Sequence, residues 1–272
     1  FKNTTFTGAT ISNFLLNGTI GMLIVSQQLI QLAGRKPDGT AYSALDAGLL
    51  TLGYGIFIIG FIRVGEKLLQ RFGPRKPMIW GSLIVVVACL LLMMTHLLIG
   101  QYVILAIIAY SLFGLGLAFY ATPSTDAALS NLPAAKAGAG AGIYKMASSL
   151  GGAIGAAISL AVFTGMARID PANILGSSIT NGESIMAGRT DNINMRLAGM
   201  IALGVNLVFL LLAILSISMT VPKSTGRISP KPQPVPDAVA AMGFVQCPTC
   251  HGEGVVKATE RAPGSGKPGR RR

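Results

Sequence analysis

Residues 197–221, LAGMIALGVNLVFLLLAILSISMTV, run for twenty-five positions without one charged side chain. A helix needs roughly 20 predominantly apolar residues to cross the hydrocarbon of a bilayer. Working back along the chain, comparable stretches occupy residues 9–33, 47–65, 78–98, 102–123 and 142–166. In hydrocarbon every backbone N–H and C=O must be satisfied within the protein, which leaves a helix as the form for each stretch. The predicted fold class is an all-α membrane protein with six transmembrane helices.

The composition agrees. Of 272 residues, 51% are hydrophobic and 12% charged, and the mean hydropathy is +0.60, which excludes disorder for the main body. The 34 glycines suit helices that approach closely in a membrane. A net charge of +12 raises the question of nucleic acid, but the charges gather in loops and tail, so no nucleic-acid partner is expected. Lys2, Arg63, Lys67, Arg71, Arg75, Lys76, Lys136, Lys145 and the basic tail fall on one side; Arg35, Lys36, Arg168, Arg189 and Arg196 fall on the other. The excess marks the first side as cytoplasmic. The expected location is the cytoplasmic (inner) membrane, multi-pass, with the N-terminus of this chain and its tail inside. The chain opens on Phe1 without a signal-peptide pattern, and the expectation is a fragment of a longer reading frame.

After the six-helix region, residues 1–222, the character changes. Residues 223–246 begin as a Pro-rich basic linker, and 247–272 form a basic tail with a single Cys-x-x-Cys-x-Gly-x-Gly element, CPTCHGEG. The whole tail is expected to be disordered. Its terminal GSGKPG lacks the glycine and the Ser/Thr that a phosphate loop requires. The CPTCHGEG element resembles one repeat of the cysteine-rich domain in DnaJ-type co-chaperones. Cys247 and Cys250 supply two of the four ligands of tetrahedral zinc; the alternative is an unmetallated turn. No other cofactor is expected. Cys89 reads as packing within the third span.

Polar residues inside spans face protein or water. On one continuous helix, Thr10, Asn13, Asn17, Gln28 and Gln31 fall within an arc of about 60°. Two readings stand: a polar cavity, or hydrogen-bonded glue between helices. In the fifth span, Ala141, Lys145, Ser148, Ser149, Gly152, Gly155, Ala156 and Ser159 share a face of mostly small residues. Lys145, beside Tyr144, either reaches inward for an acidic group or snorkels to the headgroups. Asp46 and Asp126 are the carboxylates at span ends. Each reads as a proton-coupling candidate, or as a helix cap (Asp46) and a turn residue after Pro123 (Asp126). Arg63 and Glu66 are spaced to pair. His96, Trp80 and Tyr102 read as interface residues. No hydrolytic, redox or phosphoryl-transfer constellation appears, so an enzyme is not expected.

FKNTTFTGATISNFLLNG, FIRVGEKLLQRFGPRKPM, GLGLAFYATPSTDAALSN and AGIYKMASSLGGAIG together resemble the C-terminal half of a fourteen-helix drug:proton antiporter of the major facilitator superfamily, in its multidrug and quinolone efflux branch. The resemblance covers residues 1 to about 222. It implies an MFS-type half-bundle and a gating loop at Arg71, Gly73 and Arg75, with Gln70 and Pro74 departing from the superfamily's usual residues. It also implies that the LGGAIG helix helps gate alternating access, and that the N-terminal half, with which a substrate site is shared, lies outside this sequence. Relatives expelling organic cations carry acidic residues where Tyr144 and Lys145 stand, which points this chain toward zwitterionic or acidic drugs.

The expected function is proton-coupled export of drugs or other amphiphilic small molecules. The substrate pathway would use Asn13, Asn17, Gln28, Gln31, Tyr144, Lys145, Ser148 and Ser149. The partners are the lipid bilayer, drug-like substrates, protons and the other half of the transporter. The alternative is a truncated, non-transporting membrane remnant whose tail binds a partner or zinc. A pore built by oligomerisation lacks any ring of charges or filter-like loop.

Overall fold

A computed structural model describes residues 3–34, 36, 38–96, 99–130, 132–169, 192–223, 244–246 and 255–257. Six helical stretches among them are long and apolar enough to cross a membrane. The first is two helices, α1 (Thr4–Gly18) and α2 (Gly21–Ala33). The Asn3 side chain caps α1 by accepting from the amides of Thr5 and Phe6 at 3.1 and 3.2 Å, satisfying donors that a helix start leaves orphaned. At the junction the amides of Thr19, Ile20, Met22 and Leu23 each bond to the carbonyl three residues back. This tighter winding interrupts the α-helix, so the amide stripe runs over two segments rather than one continuous helix. The second stretch is also divided, into α3 (Ala44–Leu50) and α4 (Leu52–Phe72).

α4 ends where Gly73 takes φ 74° and ψ 177°, a backbone setting that favours glycine. Pro74 then opens α5 (Arg75–Leu92), because proline needs no amide partner in a first turn. This starts the third helix earlier than 78 and ends it before 98. α6 (Ile99–Leu129) continues straight through Pro123. Proline removes one helical bond, which a packed bundle tolerates. Asp126 therefore lies on the helix, not in a turn beyond it. α7 (Ala134–Met166) and α8 (Ile193–Thr220) complete the set.

α6 packs most extensively on α4 and α5, while α1 packs on α7 and α8, and α8 also on α5. Glycine sets the distances. A Cβ on Gly155 would overlap the backbone of Gly18, and one on Gly151 the carbonyl of Phe14. The same holds for Gly65 against Ala118 and Gly114 against Tyr54. Close backbone approach replaces the hydrophobic drive that lipid cannot supply between helices. Tyr102, Tyr110, Phe113, Tyr120 and Phe163 fill the interior, so Tyr102 is a core residue and not the expected interface residue.

The antiparallel α5 and α8 are fastened at both ends by arginine. Arg75 at the start of α5 donates to the Ser218 carbonyl near the end of α8 at 2.6 Å. Arg196 at the start of α8 is only 3% exposed and donates to the Thr95 carbonyl just beyond α5 at 2.6 Å. Thr95 returns a bond to the Arg196 carbonyl at 3.0 Å. Each cation meets carbonyls at a helix C-terminus, where the peptide dipoles favour positive charge. Arg196 is therefore buried in the bundle rather than free in an outer loop.

The chain divides into two compact units, Phe1–Gly226 and Arg227–Arg272. Within the second, β1 (Phe244–Gln246) pairs antiparallel with β2 (Val255–Lys257), Val245 opposite Val256. This strand pair is an addition to the tail expected from sequence.

Gly155→Ala should lower the unfolding midpoint in detergent by several degrees, the overpacking cost of about 1–3 kcal/mol. Gly138→Ala, where a Cβ meets open space, should leave it unchanged or raised. Equal midpoints for the two variants would contradict the close α1–α7 contact.

Candidate functional site

The amides of the first span are placed unequally. Asn13 is 4% exposed and its Nδ2 donates to the Tyr144 carbonyl on α7 at 3.2 Å. Asn17 is half-buried and donates to the Asn13 carbonyl and to Asn13 Oδ1 at 2.8 and 2.9 Å. Thr10 is buried, and its hydroxyl has no hydrogen-bond partner among the described residues. Gln28 and Gln31 on α2 are half-buried. Asn13 is thus glue between helices, while the glutamines stand partly open. An amide offers both donors and acceptors, so this edge can meet neutral and charged groups alike.

The α7 face is rotated by about one residue from the expected one. Its packing line is Gly151, Gly155 and Ser159, which press on Phe14, Gly18 and Gly21. Spacing of four keeps those residues in one row. Ser148 and Gly152 lie half-buried beside that row, while Lys145 and Ser149 are exposed. Ser159 also receives the Asn206 amide from α8 at 2.9 Å.

Tyrosine–serine pairs join α6 to its neighbours. Tyr120 and Ser12 of α1 are 2.8 Å apart, as are Tyr110 and Ser26 of α2. Tyr144 of α7 donates through its hydroxyl to Ser124 at 2.7 Å. Two residues on, Asp126 is half-buried, and its Oδ2 is buried without a hydrogen-bond partner among the described residues. Asp46 differs. It completes a capping box with Ser43 and pairs with Lys36 at 2.7 Å. That bond raises the Lys36 pKa. In the same loop, the Thr40 hydroxyl and amide lower the pKa of Asp38.

In the basic loop, Arg71 is exposed, Gly73 is buried and Arg75 is half-buried. Arg71 and Lys76 both approach the Phe72 ring, at 5.3 and 5.5 Å from its centre, and Trp80 meets its edge. Arg63, Glu66 and Lys67 are exposed on the side of α4 away from Gly65. Arg63 and Glu66 form no ion pair with each other; among the described residues the one recorded is that of Lys36 with Asp46. Cys247 and Cys250 lie outside the described residues.

Sequence reasoning did not single out Ser12, Ser26, Tyr110, Tyr120, Ser124 or Asn206. A polar residue isolated in an apolar run was the available signal, strongest for Asn206.

Helical stretches of this length and polarity define a multi-pass membrane protein. A sequence profile of the Major Facilitator Superfamily matches residues 1–156, more than half of the chain, and the chain belongs to that superfamily. It is similar to the quinolone resistance protein NorB of Staphylococcus aureus strain MRSA252, 48% identical over 190 residues, which cover 69% of this chain and 40% of that protein. Against NorB of strains JH9 and N315 it is 52% identical over 163 residues, which cover 60% of this chain and 34% of theirs. The chain thus spans less than half the length of these curated relatives.

Asn17→Leu and Gln28→Leu should leave the membrane level of the protein intact. Asn13→Leu should lower the level itself, because it strips a bond from the Tyr144 carbonyl. A fall in level for Asn17→Leu and Gln28→Leu as large as that for Asn13→Leu would show those amides to be structural.

Proposed function

We propose that this chain is the six-helix portion of a proton-coupled exporter of drug-like amphiphilic molecules, seated in the cytoplasmic membrane with its N-terminus and tail inside. The observation that carries this reading is Asp126, whose Oδ2 is buried without a hydrogen-bond partner among the described residues, on a helix long enough to cross the bilayer. A carboxyl group held there takes up and releases a proton as its access to water changes. A proton that binds one access state better than the other shifts the population between them. Substrate would bind near the midplane against Asn17, Gln28 and Gln31, shared with the other half of the transporter. That partner is supported by the length of the curated relatives.

Ser148 and Ser149 on α7 extend the substrate pathway from that amide edge, and the basic loop at Arg71, Gly73 and Arg75 gates access. Arg75, fastened to the end of α8, carries a change in the loop into the bundle. Lys145 sets substrate preference. It is exposed and among the described residues has no anionic partner within 4.0 Å, so its ammonium favours the carboxylate of a zwitterionic or acidic drug. That accords with the name of the quinolone resistance relatives.

The test is drug efflux from cells expressing the complete gene, with and without an uncoupler. The reading predicts lower accumulation that the uncoupler abolishes; unchanged accumulation would end it. Lys145→Glu should shift preference toward cationic drugs by about tenfold, the effect of roughly 1.4 kcal/mol. An unaltered ranking of substrates would reject the role of Lys145.

A further inference from the structure

Four polar residues on three helices form one hydrogen-bonded run: Asn17 to Asn13 within α1, Asn13 to the Tyr144 carbonyl on α7, and Tyr144 to Ser124 on α6. Tyr144 is engaged at both ends, its carbonyl by the amide edge and its hydroxyl by Ser124. Ser124 is fully buried, follows Pro123 and stands two residues before Asp126. Proline removes a backbone bond from this turn of α6, so its geometry changes at less cost than that of neighbouring turns. One turn earlier on α6, Tyr120 pairs with Ser12 of α1.

We infer that Tyr144 is a positioning residue that couples occupancy of the Asn17 and Asn13 edge to the setting of Asp126, through its 2.7 Å bond to Ser124. This rests on the exporter reading and adds the route by which substrate and proton sense each other. A molecule that takes over the Asn17 amide alters the bond of Asn13 to the Tyr144 backbone. A shift of that backbone moves the ring and its hydroxyl, and with them the Pro123 turn that carries Asp126. By linkage, substrate binding and proton binding then change each other's affinity by the same factor. No covalent step is involved; one proton leaves the Asp126 carboxyl for water as substrate binds.

The experiment uses the complete transporter purified in detergent, with norfloxacin as the quinolone probe. It reads protons released per drug bound in weakly buffered solution. Asp126→Asn gives the baseline contributed by the drug's own ionisation. Wild type should exceed that baseline, and Tyr144→Phe should lose at least four-fifths of the excess. Ser124→Ala removes the same bond from the other side and should match it; the double variant should add nothing further. Ser124→Thr, which keeps a hydroxyl, should restore release. Should Tyr144→Phe not fold, Ser124→Ala and Ser124→Thr decide. Wild-type release from Tyr144→Phe or Ser124→Ala would overturn the role of Tyr144 and leave the exporter reading standing. Wild type no different from Asp126→Asn would overturn both.

Discussion

The bundle depends on the backbone of α7 touching the backbone of α1. Gly18 and Gly155 meet with no room for a side chain, and Gly151 presses on Phe14 in the same way. In a membrane the hydrophobic effect does not hold helices together, so dispersion at close range and polar bonds take its place. Only at this separation can the Asn13 amide reach the Tyr144 carbonyl. The small residues and the buried polar ones are parts of one device.

That device explains which polar groups are free for other work. Asn13, Ser12, Ser26 and Ser124 are committed to helix contacts. Asp46 is committed to its cap and to Lys36. What is left open is a shorter set: Gln28 and Gln31 partly exposed, Lys145 exposed, and Asp126 with an unpartnered oxygen. Structural bonds hold the scaffold still; Gln28, Gln31 and Lys145 stand partly or fully exposed, while the Asp126 oxygen is buried.

The six membrane-crossing stretches were legible in the sequence because hydrocarbon imposes a length and a polarity that few soluble segments share. Details set by contacts between distant residues were not. The break at Thr19 comes from local three-residue bonding that hydropathy does not register. Arg196 looked like a loop cation because its partner, Thr95, lies a hundred residues away in another turn. Pro123 looked like a terminator because its packed surroundings were invisible. The α7 face was found by its small residues but set a residue out of register, since Lys145 and Ser149 were counted with it when Gly151 belongs there. The strands around Val245 and Val256 carried no signal strong enough against a Pro-rich, basic background.

The central claim is that the amide edge of α2 borders water while the outer side of α8 borders lipid. Single cysteines at Gln28 and Gln31, and at Val208 and Leu211 on the exposed apolar side of α8, test it in the complete transporter with Cys89, Cys247 and Cys250 replaced. A membrane-impermeant thiol reagent should label the first pair, with protection by bound drug, and leave the second pair unlabelled. Equal labelling of the two pairs, or none at Gln28 and Gln31, would contradict a water-filled substrate path along this face.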